Sequence, residues 1–419
     1  MTATRSPAGR RRQPVGLALA GGGFLGAAYE LGVLTALDEA VDGLDLNGLD
    51  SYVGVSAGAF IAAGLANGKT PQHMVRLFID DSDPALDPAA MLQPSASLWW
   101  KALGAAPRVA RLALQSAVIS GRRGLSASLW EALEKIARTL PAGVLDASAA
   151  ERTLRQLFAA EHGSDDFRRL PSRLRIVATD IDTGQPVEFG ARGFDDVPIS
   201  RAVIASSAVP GIFAPVRIGQ RYFVDGALNK TLHASVALNE GVKLLFCINP
   251  LVPFNSGAAT RPGVIAKAGL TVILSQSIRT AIRSRMTTGL EKYSSTHPDA
   301  RLIVLEPRSS DTELFFTGIF TVSARRRVCE LAYQQTRLDL LERFAELNTL
   351  LEPHGMGLNR MVLTDPHLSL FDRQVRAPSV RRGRLGAATD DLRLTLNDLE
   401  RRLRLARARL GWAAARRAA

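Results

Sequence analysis

Cysteine and aromatic residues are scarce in this 419-residue sequence: it has two cysteines, and Phe, Trp and Tyr together make up 6%. Cys247 and Cys329 lie far apart and match no metal-ligand spacing, which argues against both a disulfide framework and a zinc site and fits a reducing compartment. No apolar run reaches the ~20 residues that a spanning helix needs without charge, proline or glycine interrupting it. There is no internal repeat. Histidine is also rare, and none of the six (His73, His162, His233, His297, His354, His367) has a distinctive setting.

What is present is an ordinary globular composition, 46% hydrophobic and 22% charged, which excludes a disordered chain and a collagen-like fibre. The length exceeds the usual ~100–200 residues per domain, so it implies one large domain with insertions or two domains. The net charge of +12 belongs to the ends. Residues 1–12 hold four Arg and no acid, and residues 373–419 hold 13 Arg against four acids, so residues 13–372 are near neutral. A neutral body has no domain-wide footprint for nucleic acid, which is excluded as a partner.

Arg10-Arg11-Arg12, an apolar stretch and Ala18-Leu19-Ala20 imitate a signal peptide. Pro14 and the glycines interrupt that pattern, and a strand explains the stretch better. Val15 to Ala20 is an uncharged run of strand length entering the loop Gly21-Gly22-Gly23-Phe24-Leu25-Gly26. A helix is predicted over Ala27 to Ala40, a strand at Ser51-Tyr52-Val53, a turn at Gly54-Val55-Ser56-Ala57-Gly58 and a helix from Ala59 toward Leu65. This is the opening of a doubly wound α/β sheet. Residues 70–168 read as a helical insertion, with helices over Leu129 to Leu140 and Ala149 to Ala160. Strands are predicted at Leu174 to Thr179, Gln185 to Phe189, Arg221 to Val224 and Lys243 to Ile248. Beyond Pro253 the pattern is mostly helical, with a strand at Arg301 to Leu305. The expected organisation is a basic lead over 1–12, an α/β domain over 13–255 that holds the insertion, a mostly helical part over 256–372 and an Arg-rich tail over 373–419.

Gly54-x-Ser56-x-Gly58, between a strand and an apolar helix, fits a nucleophile elbow, in which glycines on both sides let the chain turn sharply and expose the hydroxyl. The first glycine loop has two readings, because Gly21, Gly23 and Gly26 also satisfy a dinucleotide fingerprint. That fingerprint wants an acid at the end of the second strand, whereas this chain has Gly54-Val55-Ser56 there. Consecutive glycines at a strand end can instead aim backbone N–H groups at a point where an oxyanion forms. Asp225-Gly226 ends an apolar strand at the sheet edge where α/β sites form, although Asp-Gly is also a common turn.

Gly21-Gly22-Gly23-x-x-Gly26, Gly54-x-Ser56-x-Gly58 and Asp225-Gly226-Ala227 together resemble the patatin-like phospholipase family. The resemblance extends through Ala178-Thr179-Asp180-Ile181-Asp182-Thr183-Gly184 and Ala205 to Phe213, covering about Val15 to Pro250. It implies an α/β three-layer sandwich with a mostly parallel central sheet, a helical insertion and a helical C-terminal extension, and makes 13–255 the catalytic domain. It also implies a Ser–Asp dyad hydrolase without a catalytic His, with Ser56 as nucleophile, Asp225 as base and Gly21, Gly22 and Gly23 as oxyanion hole. The implied reaction needs neither cofactor nor metal, and its substrates are phospholipid or other lipid esters. Leu25 differs from the Arg or Lys that many members carry in this loop. The other readings are a catalytically silent lipid-binding or scaffold protein of the same fold and, more distantly, a dinucleotide-binding oxidoreductase.

Two segments are candidates for contact with a lipid surface. Residues 88–130 contain no acid but carry Lys101, Arg108, Arg111, Arg122, Arg123, Trp99, Trp100 and Trp130, which suits a membrane interface or a lid packing its aromatics inward. Leu392, Leu396, Leu399, Leu403, Ala406 and Leu410 form an apolar stripe among arginines. That helix can pair as a coiled coil, lie on an anionic bilayer or dock on its own domain. The expected location is cytoplasmic, with peripheral membrane association.

Overall fold

A computed structural model of the chain describes residues 13–79, 93–94, 143–160, 163–255, 263–309 and 322–371. The stretches expected at Leu129 to Leu140, the Trp-bearing segment and the C-terminal stripe lie outside the described residues, as does the basic lead.

Period-two burial builds the central sheet. In β1 (Val15–Leu19), Val15, Leu17 and Leu19 enter one apolar cluster, while Ala18 enters a second on the other face. The same alternation runs through β2 (Ser51–Gly54), β3 (Arg173–Asp180) and β7 (Leu244–Ile248), where Phe246 and Cys247 face opposite ways. Strands buried on both faces are those of a parallel sheet covered by helices on each side. β1 pairs in parallel with β2 and β7, β2 with β3, and β7 with β8 (Arg301–Leu305). The far side is antiparallel: β4 (Pro186–Phe189) and β6 (Arg221–Asp225) both pair with β3, and β5 (Val216–Ile218) pairs with β6. The sheet is therefore mixed and mostly parallel at its centre, an α/β fold with flanking helices.

Helices α1 (Gly23–Ala40), α2 (Ala57–Ala66), α3 (Pro71–Phe78), α4 (Ser148–Ala159) and α5 (Ile199–Ser206) contribute to the larger cluster. α6 (Ala234–Asn239) supplies much of the smaller one, and Met286 and Tyr293 of the long helix α7 (Leu270–Thr296) pack against it. α8 (Val322–Glu342) lies against α1 closely enough that a Cβ on Gly32 would collide with the Cys329 carbonyl. None of the described helices is long and apolar enough to cross a membrane.

Two local readings change. α1 starts at Gly23 rather than Ala27, so the glycine loop runs straight into the helix and Gly26 sits in its first turn. Residues 143–146, read as part of a helical insertion, form a short strand that pairs in parallel with Gly211–Phe213. That pairing partner is far away in sequence, so local pattern carries no sign of it.

The register of β3 explains how distant segments meet. Ile176 pairs with both Gly54 and Phe189, and Thr179 pairs with both Val224 and Pro186. β4 therefore takes one edge of β3, while β2 and β6 share the other edge, running toward each other. β2 stops opposite Ile176 and β6 stops opposite Ala178, leaving a gap at Val177 where the chain segments after Gly54 and Asp225 converge.

Candidate active site

Ser56 occupies the turn between β2 and α2 with φ 53°, and it is the one non-glycine residue with positive φ among the described residues. A left-handed serine is a strained conformation that persists where the surroundings over-determine it. The surroundings here are crowded. A Cβ on Gly54 would lie 2.6 Å from the Ala59 Cα, and one on Gly58 would lie 2.6 Å from the Leu19 carbonyl oxygen. Both positions admit only glycine because the elbow folds α2 back over the ends of β1 and β2.

Asp225 ends β6, is 4% exposed, and accepts a 2.8 Å hydrogen bond from the Ala227 N–H. The Ser56 side chain lies within reach of this carboxylate and favours its charged form. Burial pushes its pKa up to about 6, and the Ser56 side chain and the Ala227 N–H oppose that rise. Gly226 follows where a Cβ would collide with the Val177 carbonyl, so this glycine lets the two strand ends close up. No imidazole is among the carboxylate's partners in the described residues. Nearby His233 is buried, and its pKa is driven down to about 4 chiefly by that burial.

The glycine loop closes the third side. Gly21 packs against Ser56 and Ala227, a Cβ there lying 3.2 Å from each of their Cβ atoms, but its N–H donates to the Thr231 carbonyl at 3.3 Å, so, against the sequence expectation, it is not free to serve an oxyanion. Gly22 and Gly26 abut Pro250, and Gly23 holds φ 61° at the start of α1. Among the described residues the N–H groups of Gly22, Gly23 and Ala57 have no acceptor, which leaves them available to an incoming oxygen. Leu25 points into the core at 3% exposure, away from this opening.

Gly23, Ser56 and Ala57 help line a cavity of about 190 Å³ whose other walls are almost wholly apolar. Phe24, Phe60 and Phe78 form part of that wall, with Phe78 5.9 Å from the Phe24 ring and 5.6 Å from the Phe60 ring. Sequence reasoning missed this aromatic trio, because two of its members look like ordinary core positions on α2 and α3. It also missed Ser206, whose hydroxyl accepts the Ser56 N–H at 2.8 Å.

Of the residues singled out in the sequence, the structure brings together Ser56, Asp225, Gly21, Gly22, Gly23, Gly54, Gly58 and Gly226, while Gly26 supports the loop from within α1. Solved structures similar to this chain include VipD from Legionella pneumophila, at 17% identity and TM-score 0.36 over 80% of this chain and 67% of that one. They also include the type III effector ExoU, at 18% and 0.35 over 79% of this chain and 53% of that one. Human GIVD cytosolic phospholipase A2 in complex with methyl gamma-linolenyl fluorophosphonate matches at 11% and 0.33, over 82% of this chain and 60% of that one. This chain thus spans about half the length of ExoU. The family profile for patatin-like phospholipase matches residues 17–238, more than half of the chain, and on that match the chain belongs to the patatin-like phospholipase family.

Proposed function

We propose that this protein is a serine acyl hydrolase that cleaves carboxylic esters of phospholipids or other lipids, with Ser56 as nucleophile and Asp225 as general base. Family membership supports the coarser statement, a lipid hydrolase. The observation that carries the finer one is the convergence of the Ser56 elbow on a buried carboxylate whose pKa is pushed up to about 6. An ordinary carboxylate is a poor base for an alcohol, and desolvation makes this one better matched to the task.

Asp225 takes the hydroxyl proton as Ser56 Oγ attacks the ester carbonyl. The carbonyl oxygen becomes an oxyanion, which the free N–H groups of Gly22, Gly23 and Ala57 stabilise. The dipole of α2, which begins at Ala57, favours the same charge. Collapse of the tetrahedral species breaks the ester C–O bond, and Asp225 returns its proton to the departing alcohol. A water then gives its proton to Asp225, attacks the acyl-enzyme and frees the acid as Ser56 recovers its hydrogen. The acyl chain lies in the apolar cavity beside Ser56, whose walls suit a hydrocarbon and exclude water. No residue of the Gly21–Gly26 loop adds a cation to the hole, since position 25 is a buried leucine. Access to a lipid surface through the Trp- and Arg-bearing segment 88–130 or the Arg-rich C-terminal stripe, as a peripheral membrane enzyme, is part of this proposal.

A fluorophosphonate probe tests the assignment. It labels wild-type protein at Ser56, and Ser56→Ala removes both labelling and ester turnover while leaving the fold intact. Labelling at another serine would overturn the assignment.

A further inference from the structure

Ser206, the last residue of α5, is wholly excluded from solvent and has no place in the reaction outlined above. Its hydroxyl accepts the Ser56 N–H at 2.8 Å and donates to the Val177 carbonyl at 2.6 Å. Val177 is the residue of β3 left between the end of β2, opposite Ile176, and the end of β6, opposite Ala178. One hydroxyl therefore ties the amide of the elbow serine to the gap where the two strands converge. Two residues on, the Ala208 carbonyl accepts the Asp225 N–H at 3.0 Å, so the segment leaving α5 grips the backbone of both members of the pair.

We propose that Ser206 is a positioning residue for the reaction, its hydroxyl holding the Ser56 amide in the left-handed conformation that directs Oγ to Asp225. The inference rests on the Ser56–Asp225 reading. A buried N–H needs an acceptor, and Ser206 supplies one only while Ser56 keeps this backbone. With the hydroxyl gone, the strained elbow is free to relax toward negative φ, carrying Oγ off its line to the carboxylate. The bond has a second consequence. It occupies the amide of Ser56 itself, so oxyanion stabilisation falls to Gly22, Gly23 and Ala57.

The test compares Ser206→Ala, Ser206→Val and Ser206→Thr on a soluble p-nitrophenyl butyrate assay, together with the rate of fluorophosphonate labelling. Valine and threonine match in shape and differ in the hydroxyl. Ala and Val variants lose kcat by roughly 10- to 100-fold with KM within about threefold of wild type, as expected when orientation rather than binding is lost. The Thr variant recovers most of kcat, and labelling rates follow the same order. Wild-type kcat in the Ala and Val variants, or equal losses in Thr and Val, would overturn the proposal. If the variants do not fold, hydrogen exchange at the Ser56 amide of the wild-type protein decides: protection supports the bond, and exchange at the rate of an open chain refutes it. Failure of the Ser56–Asp225 reading is a separate result, since it requires Ser56→Ala to keep turnover.

Discussion

Two carboxyl groups are buried beside the glycine loop, and they are opposites. Glu30 lies on α1, in line with Gly22 and Gly26, with 0% exposure. Burial holds its pKa well above the ordinary carboxylate range, and the nearby Ala20 N–H, already given to the Ile248 carbonyl, offsets this little. Asp225 is almost as buried, yet the Ala227 N–H and the Ser56 side chain hold its pKa to about 6. Burial makes an acid neutral, and burial balanced by donors makes one that can exchange a proton near neutral pH. Only the second faces a hydroxyl.

Substitution by the matching amide separates the two most sharply. Asp225→Asn removes the proton acceptor while keeping the shape, and turnover of a soluble ester falls by roughly 10³-fold or more. Glu30→Gln leaves turnover within a few-fold of wild type. Steady-state kinetics on both variants check the contrast, and a Glu30 variant as inactive as the Asp225 variant would erase it. Single replacement of His233 belongs in the same series: no imidazole is among the partners of Asp225 in the described residues, so turnover persists.

The pH profile is the next test. The base works when deprotonated, so kcat/KM falls as pH drops through about 6, the value for Asp225. Glu30→Gln leaves that limb in place. A limb that moves in the Glu30 variant would mean that the two carboxyls are coupled.

Much of this arrangement was legible in local pattern, and the part that was not has a common cause. β1, β2 and β7 announce themselves as short uncharged runs because both of their faces are buried, and the elbow announces itself because close approach of backbones at Gly54 and Gly58 tolerates no side chain. Asp225 was visible only as the start of an Asp-Gly turn. What draws it to Ser56 is the shared edge of β3, a pairing set by residues 173 to 180 that no window around either residue contains. Ser206 is harder still: its bond to Ser56 spans 150 positions and runs from a hydroxyl to a backbone amide, a contact that leaves no periodicity. The start of α1 at Gly23 escaped notice because glycines read as loop, whereas here they admit Pro250 against the first helical turn.

The smallest expected effect is on stability, and its sign is the telling part. The folded pKa of Asp225, about 6, lies above the ordinary 3.8, so the folded state binds this proton more tightly than the unfolded chain does. The benefit of that tighter binding is complete below pH 4 and is lost as pH rises through 6, which leaves the ionised group a burden of about 2–3 kcal/mol at pH 8. Asp225→Asn removes the burden while its amide oxygen can still accept the Ala227 N–H. The inactive variant is therefore more stable than wild type at pH 8, and its advantage shrinks to nothing near pH 4. Denaturant melts of the two proteins at pH 4, 6 and 8 measure this directly. An advantage that is flat with pH would mean that Asp225 is not the strained ionised group, and an Asp225→Asn protein less stable at pH 8 would mean that its hydrogen bonds outweigh its burial.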